Sequence, residues 1–206
     1  MQNFLHHWYD GKIYDLFIAK NQLKYFSRVK QFIKKDAKIL DAGCGTALLA
    51  LVLKNLNVNY TGIELSEKNF LIASQNLAKH KINGIIYLAD VSDYLNSRDE
   101  FFDYAFISFV LHEIDEEKRL QILQSIAKYS SYQILIDYSS NQENNFYKFI
   151  NQTVELIAGK NHYKNFKNFI NNHGLKKLIN ELGLIIIEQI KFENYNTEIF
   201  ITTNSS

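Results

Sequence analysis

The chain has 206 residues, 47% of them hydrophobic and 22% charged, with a formal net charge of +1. A chain of this length buries a core without disulfides or a structural metal, and the composition excludes disordered and fibrous chains, so one globular domain is expected. Cys44 is the single cysteine; internal disulfides are excluded, no Cys/His spacing resembles a zinc site, and His6-His7 is too short to argue for a metal. Met1–Asp10 lacks a basic region followed by an apolar one, and no stretch reaches the roughly 18 apolar residues of a membrane span, which predicts a cytoplasmic protein with no membrane partner.

The charge is unevenly placed. Residues 1–35 carry seven Lys/Arg against Asp10 and Asp15, and residues 159–180 carry five Lys and no acid, so two segments at +5 flank a remainder at −9. Lysines on solvated helix faces explain this in the ordinary way. The sharper reading is a basic entrance for an anionic substrate, with residues 1–35 and 159–180 both over the carboxyl ends of the strands.

There is no proline, so Gly, Asn, Asp and Ser punctuate the elements. After the N-terminal segment 1–35, β-rich runs alternate with helical stretches from 36 to 140: Lys38–Asp41, Val58–Ile63, Ile85–Ala89, Tyr104–Phe109 and Tyr132–Asp137. Such alternation predicts βαβ units and a parallel sheet. Ser66 and Asp115 sit where helix N-caps belong, followed by first-turn acids. Residues 141–182 read as a helical insertion, with Phe146, Phe149, Ile150, Val154 and Ile157 at helical spacing. Gly183 ends the last helix. Residues 183–206 hold two runs, Leu184–Ile190 and Thr197–Thr202, joined by the short loop Glu193–Asn196, which predicts an antiparallel hairpin.

The first strand ends in Asp41-Ala42-Gly43-Cys44-Gly45-Thr46-Ala47. The glycines allow a tight turn and close approach of a ligand to backbone, and the helix that follows offers free N–H groups. Asp41 decides what kind of ligand. A carboxylate is unwelcome beside a pyrophosphate but suits the ammonium and sulfonium of S-adenosylmethionine, and Leu48 replaces the third glycine of the dinucleotide fingerprint. Glu64, at the end of the second strand, is placed to accept both ribose hydroxyls. Asp90 closes the third strand, where it meets the adenine amino group while Val91 packs on the ring. Cys44 reads as a small filler beneath the loop rather than a nucleophile.

With these residues and the run Ser108-Phe109-Val110-Leu111-His112-Glu113-Ile114 after the fourth strand, the chain resembles class I S-adenosylmethionine-dependent methyltransferases. The nearest branch is the small-molecule one typified by ubiquinone and menaquinone methyltransferases. The resemblance spans residues 36–140 well and the rest in outline. It implies a Rossmann-like three-layer sandwich: a seven-stranded, mostly parallel sheet with a C-terminal antiparallel hairpin and a helical cap. It further implies that Asp41, Gly43 and Gly45 hold the methionine moiety, Glu64 the ribose, and Leu65, Asp90 and Val91 the adenine, with Ser108 near the reactive end. Tyr9 and Tyr14, each before an aspartate, stand where cofactor-covering tyrosines occur, and Arg28 is placed to reach the methionine carboxylate, a surface salt bridge being its alternative. Ala47 departs from the family's third glycine, an exchange expected to add only a methyl group at a helix start.

A chain without proline has no D/N-P-P-Y element of the kind amino-methyltransferases use. Two histidines are candidate bases, each with a structural alternative: His112, as a capping or packed residue, and His162, in a segment resembling a lid helix. The expected function is methyl transfer from S-adenosylmethionine to a small molecule by in-line displacement. An RNA or protein methyltransferase, and a cofactor-binding module without transfer activity, are the alternatives; near-neutral charge and the lack of an RNA-binding appendage set nucleic acid lower.

Overall fold

The computed structural model describes residues 22–205; Tyr14, like Tyr9, lies outside them. From a helix α1 over 22–29 the chain enters β1 (Lys38–Ala42), α2 (Leu48–Leu53), β2 (Asn59–Glu64), α3 (Glu67–His80), β3 (Gly84–Leu88), α4 (Val91–Asn96) and β4 (Phe102–Ser108). There follow α5 (Glu116–Lys128), β5 (Ser130–Tyr138), α6 (Asn145–Ala158), α7 (Lys160–Asn171), α8 (Gly174–Glu181), β6 (Ile185–Phe192) and β7 (Thr197–Thr203). One seven-stranded sheet runs in the order β3-β2-β1-β4-β5-β7-β6. The first five strands pair parallel, and β7 enters antiparallel between β5 and β6. This is the Rossmann-like arrangement expected, with strand ends shifted by one or two residues.

Alternation along each strand sends side chains to two separate cores. Ile39, Tyr60, Phe106, Ile136 and Ile199 meet α1, α2 and α3 on one face. Leu40, Ile63, Ile107, Leu135 and Phe200 meet α4, α5, α7 and α8 on the other. Because β1 and β4 lie side by side while their connections leave in opposite directions, a crevice opens at their carboxyl ends, the place where open α/β sheets bind ligands.

Two of the helix ends expected from local chemistry form, and one does not. The Ser66 hydroxyl accepts from Asn69 N at 3.4 Å, and Gly183 takes φ +62° after α8, a conformation glycine adopts freely. Asp115 stands at the N-cap of α5 but makes no side-chain capping bond, so the expected cap reduces to the acids Glu116 and Glu117 of the first turn.

The helical spacing of α6 is borne out, but its orientation is reversed from that of an ordinary surface helix. Phe146, Phe149 and Ile157 are 68, 69 and 63% exposed, whereas Asn151 and Glu155 are buried. Its polar side faces the sheet because, as described below, a buried histidine receives Glu155. Among the described residues, no helix is long and apolar enough to cross a membrane.

Candidate active site

The turn from β1 into α2 needs unusual backbone. Gly43, Gly45 and Ala47 have φ of +73, +54 and +61°. A Cβ on Gly43 would stand 2.6 Å from Val110 Cγ2, so this position must lack a side chain, whereas nothing lies within 4 Å of a Cβ built on Gly45. The space over Gly45 is open. Ala47 shows that the departure from a third glycine is more than a methyl group at a helix start. A left-handed alanine costs about 1 kcal/mol or more, offset here by burial of its methyl in the core.

Three neighbours hold this turn. Gly43 N and Cys44 N both donate to Ile63 O, at 2.9 and 3.0 Å, and Asn76 Nδ2 donates to Thr46 O at 2.9 Å. The third is Glu64, whose Oε2 accepts from Gly45 N at 2.8 Å. Its Oε1 accepts from Leu65 N at 3.0 Å and Ser66 N at 2.8 Å. Glu64 therefore ties the glycine turn to the start of α3 and presents an almost buried carboxylate to the crevice. Leu65, beside it, is 65% exposed.

Asp41 lies beneath the same turn, 3% exposed. Tyr60, fully buried on β2, donates its hydroxyl proton to Asp41 Oδ2 at 2.5 Å. Burial pushes the Asp41 carboxyl up to about 7, against the Tyr60 hydrogen bond, which favours the charged form, while nearby Glu64 adds to the rise. Among the described residues no cation forms an ion pair with it.

Asp90 caps α4: its Oδ1 accepts from Ser92 N at 2.8 Å and Asp93 N at 3.3 Å. It is exposed at the end of β3 with half-buried Val91 next to it. Ser108, the last residue of β4, has a buried Oγ without a hydrogen-bond partner among the described residues. Asp41, Gly43, Gly45, Glu64, Leu65, Asp90, Val91 and Ser108 thus all fall at the carboxyl ends of β1 to β4. Arg28 is exposed on α1.

His112 sits on a single turn after β4, 1% exposed. Its Nδ1 is 2.6 Å from Asp137 Oδ1 and its Nε2 is 3.4 Å from Glu155 Oε1. Burial opposes a charge there, but Asp137 and Glu155 outweigh it and hold the imidazole well above its usual value of 6.5. A charged His112 between two buried carboxylates is a pin joining β5 to α6, which is the packed alternative rather than the accessible base. Arg119 on α5 is a second pin, donating to Leu111 O, Asn168 Oδ1 and Asn165 O at 2.8, 2.7 and 2.7 Å. It bolts α7 in place, and with it the half-buried His162.

Several residues of this site are given no role by the sequence: Tyr60, Glu155, Tyr25 and Tyr138, with Phe109 and Val110 legible only as members of the run Ser108–Ile114. Phe109 lies 5.6 Å from Tyr25 and 5.5 Å from Tyr138, ring centre to ring centre, and has φ +56°. For so bulky a residue that conformation is strained, and such strain clusters at functional sites. The described part of the two basic segments is divided between the two ends of the strands: Lys24 donates to the Tyr195 hydroxyl at 2.5 Å, beside Thr197, which pairs with Tyr138 at the carboxyl end of β5. Lys34 lines a surface cleft with Asp103, Tyr104 and Tyr132, near the amino ends of β4 and β5, on the opposite edge of the sheet. Lys177 pairs with Glu116 at 2.7 Å.

The fold and the turn have counterparts among known proteins. Residues 39–131 match the family model described as a methyltransferase domain, from β1 to the first residues of β5. The chain is 31% identical over 99 residues to a ribosomal protein L11 methyltransferase of Thermotoga neapolitana, covering 48% of this chain and 34% of that relative. The chain thus matches about a third of the length of that curated relative. Among solved structures, magnesium protoporphyrin IX methyltransferase (ChlM) from Synechocystis PCC 6803 with bound SAH superposes with a TM-score of 0.69 at 17% identity, over 95% of this chain and 88% of that one. The mitomycin 7-O-methyltransferase MmcR superposes with a TM-score of 0.68 at 15% identity, over 96% of this chain and 59% of that one. The architecture is that of the Rossmann-like methyltransferases.

Two predictions follow from this geometry. Gly43→Ala should disturb the turn itself, through Val110, and lower the thermal midpoint; Gly45→Ala should cost only about 1 kcal/mol of backbone strain while placing a methyl group in the open space over the turn. Equal melting losses in the two variants would contradict the packing around Gly43. His112→Gln should destabilise the protein by about 3–5 kcal/mol in urea unfolding at pH 7, because it leaves two buried carboxylates without their cation. Since folding raises the His112 value above 6.5, the pin's contribution is whole below that pH and is lost as pH rises past the folded value. A loss under about 0.5 kcal/mol, the size of an ordinary surface change, would remove the pin.

Proposed function

We propose that the chain is an S-adenosylmethionine-dependent methyltransferase acting on a small-molecule acceptor. The observation that carries this is the pair of nearly buried carboxylates, Asp41 and Glu64, bracketing a glycine turn that is open over Gly45. A dinucleotide's pyrophosphate would be repelled there, whereas a ligand with a cationic end and a ribose diol is complemented.

The residues present fit that cofactor. Asp41 faces the cationic methionine end with Gly43 and Gly45 giving backbone access, Glu64 takes the ribose hydroxyls, and the exposed Leu65 with Val91 flanks the adenine, whose amino group Asp90 receives. The buried Ser108 hydroxyl at the end of β4, unpartnered among the described residues, would be available to the reactive end of the cofactor. When bound, the cofactor supplies a methyl group already carried on a good leaving group. The chain's own task is then alignment and exclusion of water. Tyr25, Phe109 and Tyr138 form the apolar wall beside the turn. His112 positions that wall from below: Tyr138 donates to the same Glu155 that faces His112, at 3.4 Å. Residues 36–140 form the cofactor half, and 141–182 with the N-terminal segment form the acceptor half.

A small acceptor is favoured because the superposition on ChlM and MmcR, whose names specify small molecules, extends over at least 95% of this chain and so includes α6 to α8. The L11 methyltransferase match covers 48% of this chain and 34% of that relative, so it supports the protein-methyltransferase alternative over less of the chain.

The test is incubation with methyl-labelled S-adenosylmethionine and cell extract fractionated into small molecules, RNA and protein. Label in the small-molecule fraction is expected, and label confined to protein or RNA, or to none, would overturn the assignment. Glu64→Gln should weaken cofactor binding by about 1–3 kcal/mol, since one acceptor for a ribose hydroxyl is lost. Unchanged affinity in calorimetry would take Glu64 out of the site.

A further inference from the structure

Tyr60 lies outside the cofactor turn yet reaches its most buried carboxylate. It stands on β2 in register with Ile39 of β1, two residues before Gly62, which pairs with Asp41. From there the phenol extends along the sheet face to Asp41 Oδ2 at 2.5 Å. The ring is fully buried and the carboxylate 3% exposed, so water does not compete for this bond.

We propose that Tyr60 is the positioning residue of the cofactor site, and that the Tyr60–Asp41 pair gives up one proton when the cationic cofactor binds. The inference rests on the S-adenosylmethionine reading of the site. Among the described residues, Asp41 is a buried acid facing groups that are neutral or negative: Tyr60 on β2, Glu64 at the end of β2 and Cys44 in the turn. The helix that covers this face, α1, contributes Tyr25, Phe26 and Val29, none of them cationic. Burial raises Cys44 and Tyr60 well above their ordinary values and Tyr25 to about 12, so all three stay neutral and Tyr60 remains a donor. Burial raises Asp41 to about 7, so it titrates near neutrality.

The balance is simple. In the free protein at pH 6 Asp41 is a carboxylic acid; when the ligand's positive charge arrives, the acid ionises, the proton leaves to the buffer, and the carboxylate pairs with the ligand. Binding therefore weakens about tenfold for each pH unit below the Asp41 midpoint. Tyr60 sets that midpoint, because its hydrogen bond favours the carboxylate. Removing the hydroxyl moves the midpoint to higher pH by about 1 unit.

Calorimetric titration of the full chain with S-adenosylmethionine in buffers of different ionisation enthalpy counts the proton directly. The ligand's own α-amine titrates near 8, so the informative window is pH 5.5–7. Release of most of one proton at pH 6, with affinity rising toward pH 7, is expected. Tyr60→Phe, which keeps the buried ring, should bind about tenfold more weakly than the parent at pH 6 but only about threefold more weakly at pH 7.5, its affinity rise displaced to higher pH. An affinity loss of equal size at every pH would mean that Tyr60 is only a packing residue, and overturns the positioning role. Pairing of unchanged affinity across pH 5.5–7 with no proton release overturns the exchange while leaving the cofactor assignment standing. Absence of binding at pH 7.5 overturns both. The proton count on the parent protein decides the exchange even where Tyr60→Phe does not fold.

Discussion

One carboxylate organises the mouth of this sheet. Glu64 accepts three backbone amides, from Gly45 on one side of the crevice and from Leu65 and Ser66 on the other. Those bonds fasten a turn that contains three left-handed residues within five positions and would otherwise be the least regular backbone in the core. With Glu64 in place the turn is rigid before any ligand arrives, and its remaining N–H groups and the open space over Gly45 are preorganised. The same residue also contributes the negative charge that raises Asp41. Backbone geometry and electrostatics of the site are thus set by one side chain at the end of β2.

A second constraint acts on the other half of the crevice. His112, Asp137 and Glu155 form a buried charged row that crosses from β5 to α6. Buried ion pairs rarely add much stability against an apolar alternative, but breaking one is costly, so such a row fixes geometry. Here it fixes the orientation of α6, turning its polar side inward and leaving Phe146 and Phe149 on the outside. Arg119 does the equivalent for α7 through three hydrogen bonds. The strands β1 to β5 are held by their register, α6 and α7 by these two cations.

The parts of this architecture that depend on local pattern are legible in the sequence. β1 to β5 announce themselves by short β-rich runs between amphipathic stretches, and the Asp41–Ala47 segment by glycine spacing next to an acid. Pairings across long sequence separations are not legible. Tyr60 and Asp41 are 19 residues apart, and both belong to strands whose register only the folded sheet reveals. His112 reads equally as a base or a packed residue until Asp137 and Glu155 are seen on either side of it, 25 and 43 positions further on. The helical period of α6 gives an amphipathic helix but not which face is inside, because the histidine that inverts it lies on another element. Ala47 fails for a local reason: alanine carries no signal of a positive φ. Charge counted along a chain does not say which end of a strand each lysine reaches: Lys24 stands beside Tyr195 at the carboxyl end of β5, and Lys34 at the amino ends of β4 and β5.

The central claim is that Asp41 and Glu64 make this glycine turn a site for a cationic adenosyl ligand and not for a dinucleotide. Calorimetry with S-adenosylmethionine, S-adenosylhomocysteine and NAD, each titrated into the same protein at pH 7.5, tests it most directly. Saturable one-to-one binding of the two adenosyl ligands and none of NAD is the predicted result. NAD binding as tightly as S-adenosylmethionine, or no binding by either adenosyl ligand, would contradict it.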